Sequence, residues 1–329
     1  MSPASLPDRI QDYLDRFLTA KATELREAAA LVGLVRGVVE SGGKRIRPAF
    51  CYWGYRAAGG TDDDRIIAAA ASLELLHTFA IVHDDIMDRS DTRRGIAAVH
   101  AVHGEGVGIL VGDLALTFAD AAFVGSGFGG RVMERGLAAY LRMRERVIAG
   151  QYRDLTAPAD ISLEHALEIA ASKSGDYSVL EPFQIGSLLA DGEVQPPSFA
   201  EEFGHAVGVA FQLRDDILGL FGDPEVTGKS NDADVREGKR HALYALTLAA
   251  LGSEERDRFA ARWGAEDLRP QEVDELRSQV ESSGARATAE EMLQGLATRA
   301  RSALDRLEAP DDVRAALAGL ATSVIDRNA

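Results

Sequence analysis

The sequence predicts an all-α protein. Apolar residues recur three and four positions apart through most of the chain, which is the period of amphipathic helices. Aromatic residues make up only 6%, and alanine and leucine dominate the apolar set, which favours helices over sheets. No stretch alternates apolar and polar residues as a strand would, and no internal repeat is visible. With 46% hydrophobic residues in a chain of 329, there is enough apolar material for a sizeable core.

The formal net charge of −16 argues against a nucleic-acid partner, because a basic surface drives phosphate-backbone binding. A small phosphorylated substrate remains compatible, since local cations reverse the field inside one cleft. The single cysteine, Cys51, excludes an internal disulfide framework and a thiolate zinc site, and reads as a core residue. The start of the chain lacks the basic region and apolar run of a signal peptide. No uncharged apolar run reaches the roughly 18 residues of a membrane span. The expectation is a cytoplasmic protein with no transmembrane segment.

Helices are predicted first between Leu6 and about Glu40. The turn Ser41-Gly42-Gly43-Lys44-Arg45-Ile46-Arg47-Pro48 follows, with three cations before a helix start, an arrangement suited to an anion. Two more helices are expected over Ala49–Gly59 and Ile66–Asp88, joined by an acidic loop. His100 and His103 lie in the next segment and lack a third metal ligand nearby, so they read as loop or core histidines. Helical patterns resume over Gly108–Phe123, Glu134–Asp154, Ser162–Leu189 and Ser198–Phe221. Lys173-Ser174-Gly175 interrupts the third of these, predicting either a local kink that turns a hydroxyl and a loosened carbonyl inward or a simple break between helices. Asp191–Pro197 is expected to be a loop, and Pro224–Arg240 a polar segment holding Lys229 and Lys239. Beyond Ala242 the chain reads as amphipathic helices with solvated faces.

Two of these helices carry carboxylates on an otherwise apolar background. At about 100° per residue, His77, Ile81, Asp84, Asp85 and Asp88 fall within about 100° of one another. On the later helix Gln212, Asp215, Asp216 and Gly219 share a face in the same way. Crowded carboxylates repel, and burying them unpaired is costly. A hard divalent cation such as Mg²⁺ removes both penalties, taking one or two carboxylates together with substrate phosphate. Cations follow each patch, Arg93 and Arg94 after the first, Lys229 and Lys239 after the second. Acid for a metal and base for phosphates is what a diphosphate leaving group requires. No nucleophilic serine or cysteine with a paired histidine is evident, so the expected catalysis is electrostatic. Facing carboxylates across a helical bundle are one way such folds build a metal site.

The stretch Asp84-Asp85-Ile86-Met87-Asp88, then Arg93-Arg94-Gly95, resembles the first aspartate-rich motif of trans-isoprenyl diphosphate synthases, the polyprenyl synthetase family. Phe211-Gln212-Leu213-Arg214-Asp215-Asp216 with Gly228-Lys229 and Glu237-Gly238-Lys239-Arg240 resembles the second. Gly43–Pro48, His77, Gln151 and Lys173-Ser174 match smaller motifs in order, so the resemblance covers nearly the whole chain, read as one domain over 1–329. It implies an isoprenoid-synthase-type helical bundle around a central cavity, usually a homodimer, working with Mg²⁺ on isopentenyl diphosphate and an allylic diphosphate. By the same resemblance Asp84, Asp88 and Asp215 would hold Mg²⁺, supported by Asp85 and Asp216. Arg93, Lys173, Lys229 and Lys239 would hold the allylic diphosphate, and Lys44, Arg47, His77 and Arg94 isopentenyl diphosphate. Gln212, the Ser174 hydroxyl and the Lys173 carbonyl would stabilise the carbocation, and the released diphosphate would take the proton.

Three departures stand out. Gly219 occupies the place of the usual third aspartate of the second motif, Ser174 that of a threonine, and Ala97 that of a common proline. In a family of this kind, bulky Phe79 five residues before Asp84, with small Ala80 beside it and no insertion between the aspartates, resembles geranylgeranyl diphosphate synthases. A farnesyl or longer product, and a weakly active subunit of a heteromeric synthase, are the alternatives. A terpene cyclase fits less well, because Asp215-Asp216 and the Gly-Lys-Arg run replace the pattern expected of its second motif. A helical scaffold would leave two acidic patches uncompensated.

Overall fold

A capping box starts the first helix: the Ser5 hydroxyl accepts from Asp8 N at 3.4 Å while the Asp8 carboxylate accepts from Ser5 N at 3.3 Å. The computed structural model describes residues 5–93, 95–190, 199–223 and 231–326. From that cap run α1 (Leu6–Glu24) and α2 (Ala29–Glu40), whose Ile10, Leu14, Leu18, Val32, Val35 and Val39 are buried at the predicted spacing. Helix α3 (Ile46–Ala57) begins three residues before its expected start. Its N-cap, Arg45, adopts a left-handed φ of 51°, and Gly42 and Gly43 before it also have positive φ.

Helix α4 (Asp64–Met87) is capped by the Asp63 carboxylate, which accepts from Arg65 N at 2.9 Å and Ile66 N at 3.3 Å. Asp88 closes it as the C-cap, its N–H donating to Asp84 O at 2.8 Å. After α4 comes a hairpin too short to show in a residue pattern, β1 (Thr92–Arg93) antiparallel to β2 (Ile96–Ala97). Then follow α5 (Val99–His103), which carries both histidines of the expected loop, α6 (Glu105–Val124) and α7 (Gly130–Leu155).

The expected Lys-Ser-Gly irregularity is a π-helical turn over Ala171–Gly175, set between α8 (Leu163–Ala170) and α9 (Asp176–Ser178). The chain continues through α10 (Leu180–Leu189), a second π turn at Ala200–Gly204, and α11 (His205–Phe221). Asp191–Pro197, the predicted loop, lies outside the described residues. After α11 come the short α12 (Ala233–Arg236), then α13 (Ala242–Ala250), α14 (Ser253–Arg262), α15 (Pro270–Ser282), α16 (Ala285–Asp305) and α17 (Asp311–Ile325).

The chain divides into two compact units. One comprises Met1–Leu141, Glu181–Pro196 and Ala309–Leu317, the other Arg142–Leu180, Pro197–Glu308 and Ala318–Ala329. In the first unit α4 is the central helix, packed along α6 and against α1 and α3. It is apolar all round, as a helix enclosed by neighbours must be, with Leu73, Leu75 and Leu76 at most 1% exposed. In the second unit α11 takes that role, packing on α16 and on both π turns.

By length and composition α4 and α6 both reach what a membrane span needs, with 78% and 44% of their apolar windows buried inside the protein. Both windows carry acidic residues, Glu74 in α4 and Asp113 in α6, so neither is the uncharged apolar run whose absence was expected. Helix α4 is a core helix. Cys51 is fully buried, which pushes its thiol pKa well up and fits a core residue.

Candidate active site

The first aspartate motif sits at the C-terminal end of α4, in the first unit. Asp85 is buried at 4% exposure, while Asp84 and Asp88 are half-buried. Arg93 folds back from β1, donating Nε to Asp85 Oδ1 at 2.7 Å and Nη2 to Asp84 Oδ2 at 3.4 Å. Nη2 also donates to the same Asp85 Oδ1, so one carboxylate oxygen accepts from two guanidinium nitrogens. Burial works against the Arg93 charge, but Asp85, Asp84 and Asp88 more than offset it and hold its pKa above the ordinary value. Part of the carboxylate repulsion foreseen from the sequence is therefore relieved within the protein. One turn earlier Phe79 meets the His83 ring edge to face at 4.9 Å, and His83 Nε2 lies 3.1 Å from Ile109 O on α6. Phe79, Ala80 and His77 are all partly buried.

The three cations around the start of α3, Lys44, Arg45 and Arg47, do not act alike. Arg45 is buried, pairs with buried Glu74 at 2.6 Å, and donates to Gln11 Oε1 at 2.7 Å and Val39 O at 2.8 Å. It is a structural residue, its charge and donors committed to the fold. Lys44 is exposed and Arg47 half-buried, leaving these two as the anion-binding candidates of that turn. Arg94 and Lys229 lie outside the described residues.

In the second unit, Gln212 donates Nε2 to Asp216 Oδ1 at 2.7 Å on α11. Asp216 is 4% exposed, and its other oxygen, Oδ2, is buried without a hydrogen bond. Burial pushes the Asp216 carboxyl up to about 6; Asp234 and Asp215 push the same way, while His241 and Gln212 pull it down. Asp215, beside it, is half-buried. Lys173, within the π turn, donates Nζ to Asp154 Oδ2 at 2.5 Å. The turn packs tightly on α11: a Cβ on Gly175 would lie 2.6 Å from Gly208 C, so neither glycine tolerates a side chain. Ser174 is half-buried on the same turn. Lys239 is bound by Asp234 at 3.3 Å and Glu237 at 2.6 Å. A groove of about 1070 Å³ in this unit, lined by Leu163, Leu167, Met292 and Leu296 among others, includes none of the predicted site residues.

Comparison with known proteins identifies the family. The polyprenyl synthetase profile matches residues 29–280. The chain belongs to the polyprenyl synthetase family. It is 30% identical over 326 residues to the short chain isoprenyl diphosphate synthase of Methanothermobacter thermautotrophicus, covering 97% of this chain and 98% of that one. To the geranylfarnesyl diphosphate synthase of Aeropyrum pernix it is 33% identical, covering 85% and 89%. Among solved structures, the geranylgeranyl pyrophosphate synthase of Corynebacterium glutamicum, complexed with isoprenyl diphosphate and magnesium, superposes with a TM-score of 0.92 at 34% identity over 98% of both chains.

This polyprenyl synthetase is a prenyltransferase with an all-α isoprenoid-synthase fold. Among its described residues no group of three His, Cys, Asp or Glu side chains converges to hold a metal ion unaided. Its donor set suits a cation that takes one or two carboxylates and completes its shell with substrate oxygens and water. The bare, buried Oδ2 of Asp216 is an oxygen of that kind. Three residues that hold the site together were not predicted: Asp154, Asp234 and His241. His241 Nδ1 accepts from Tyr244 N at 3.3 Å, which turns Nε2 toward Asp234 Oδ2 at 3.9 Å. Only Asp234 and His241 offered a signal in the sequence, through their closeness to Glu237–Arg240.

Proposed function

We propose that this polyprenyl synthetase condenses isopentenyl diphosphate head to tail with dimethylallyl, geranyl or farnesyl diphosphate, and that its product is geranylgeranyl diphosphate. The observation that carries the reading is the end of α4, where Asp84, Asp85 and Asp88 are gathered with Arg93 folded onto them. Bound Mg²⁺ would neutralise charge on the departing diphosphate. Asp84, Asp88 and Asp215 are the residues that would hold it, with Asp85 and Asp216 behind them. Arg93, Lys173 and Lys239, with Lys229, bind the allylic diphosphate. Lys44, Arg47 and His77, with Arg94, bind isopentenyl diphosphate.

The allylic C–O bond breaks with its electron pair leaving on diphosphate. The Gln212 amide, the Ser174 hydroxyl and the Lys173 carbonyl face the positive charge that remains. The isopentenyl double bond attacks that carbon, and the released diphosphate takes the proton. No side chain of the protein becomes covalently attached.

Product length follows from excluded volume one turn before Asp84. Phe79 packs edge to face against His83, and the residue beside it, Ala80, is small. We read residues 1–329 as one functional domain acting in the cytoplasm, with no nucleic-acid partner and no transmembrane segment. Exposed Ile109, Leu110 and Val124 on α6 support a homodimer that covers them. Purified protein incubated with Mg²⁺, isopentenyl diphosphate and each primer in turn tests the reading. Mass spectrometry of the dephosphorylated products is expected to show a dominant geranylgeraniol. A dominant shorter or longer alcohol corrects the length, and no turnover from folded protein rejects the reading.

A further inference from the structure

We propose that Asp234 supplies the third carboxylate of the second aspartate motif, and that Gly219 is the residue whose missing side chain admits it. The proposal rests on the synthase reading above and deepens it. Gly219 lies on α11 on the face shared by Gln212, Asp215 and Asp216, one turn beyond Asp216. A Cβ built there would overlap Asp234 Oδ2 and lie only 3.0 Å from its Cγ. The position usually given to an aspartate side chain in this motif is thus filled by a carboxylate from another helix.

The backbone around Asp234 is anchored. Val235 next to it is fully buried, Gly264 N donates to Val235 O at 3.0 Å, and Arg236 Nη1 donates to Leu268 O at 2.9 Å. Helix α12 is therefore held in place, and Asp234 cannot retreat by moving its backbone. Its Oδ1 receives Lys239 Nζ at 3.3 Å and its Oδ2 lies 3.9 Å from His241 Nε2. An independent observation marks the same place as a ligand site. Asp216, one turn back on α11, is buried with Oδ2 unbonded, and its carboxyl feels both Asp234 and His241. Three carboxylates gathered in one field, one of them buried with a bare oxygen, call for a cation beyond Lys239 and His241. Asp234 acts as a positioning residue, completing the acidic group and steering Lys239.

Four full-length variants test this: G219A, G219D, D234G and the exchange G219D/D234G. Thermal midpoints in metal-free buffer read the packing. G219A and G219D are expected to melt several degrees below the parent, and the exchange to return to it, because it moves one carboxylate between helices without adding another. Calorimetric titration of Mg²⁺ in the presence of inorganic pyrophosphate reads the site without turnover. D234G is expected to lose about tenfold in affinity, and the exchange to recover most of that loss. If D234G binds as tightly as the parent, or the exchange binds no better than D234G, the proposal is overturned. Should G219D not fold, D234N keeps the shape and removes the charge; the same tenfold loss supports the proposal and full affinity overturns it. A folded parent that binds no Mg²⁺ with pyrophosphate would reject the synthase reading itself, and this proposal with it.

Discussion

Arg93 closes back on Asp85 across the turn that leaves α4, its Nε and Nη2 both donating to Oδ1, with Nε 2.7 Å away and Asp85 almost wholly buried. The pair joins the hairpin carrying Arg93 to the helix carrying the aspartates, so one interaction fixes both the cation and the acidic face of α4.

Removing the arginine strands a buried carboxylate. Arg93→Met is expected to destabilise the protein by about 3 kcal/mol, and Asp85→Asn placed in that background to recover part of it. Urea unfolding of the two single variants and the double variant measures the coupling. Additive effects would show that the pair contributes little to the fold.

Phe79 is expected to be the floor of the elongation path. Phe79→Ala should lengthen the product, read as a shift of the dephosphorylated alcohols to higher mass. An unchanged distribution would remove Phe79 from that role, and His83→Ala would then test whether its stacking partner holds the floor instead.

Lys173 is held in place by Asp154, 2.5 Å from its ammonium. Asp154→Ala frees the lysine from its tether without removing it. The KM for the allylic primer is expected to rise several-fold, with kcat less affected and the KM for isopentenyl diphosphate unmoved. A fall in kcat alone would place Asp154 elsewhere in the mechanism.

His205 Nδ1 lies 3.2 Å from Asp176 Oδ1, and the hydrogen bond to Asp176, outweighing burial, raises the histidine pKa above its ordinary value. A raised histidine stabilises the fold below its unfolded pKa of about 6.5, and that contribution is lost as pH climbs through the folded value. The His205 side chain is 47% exposed, so screening limits the effect to about 0.5 kcal/mol. His205→Gln should flatten the difference in urea midpoint between about pH 5.5 and about pH 8.5. An unchanged difference would assign it to other groups.

Much of the site was legible because its signals are local. The aspartates of α4 and α11 stand three and four apart on apolar backgrounds, and helical period alone puts each set on one face. Lys173-Ser174-Gly175 announced an irregular turn in the same way. That it is a π turn, and that its Gly175 lies against Gly208 in a backbone contact between segments distant in the chain, is seen only in the folded protein. Among Lys44, Arg45 and Arg47 the residue pattern shows three equal cations. Only the packing reveals that Arg45 is spent on Glu74, because burial depends on what else folds over the turn.

The all-α class, the positions of the long helices and the identity of the acidic and basic residues were written in the sequence, since side-chain chemistry and a 3.6-residue period need no partner to be read. Which charges are neutralised inside the protein, and which carboxylate occupies the space at Gly219, were decided only by tertiary structure. Asp234 reaches that space from a separate helix, and no periodicity within α11 encodes a contact that chain folding alone brings about.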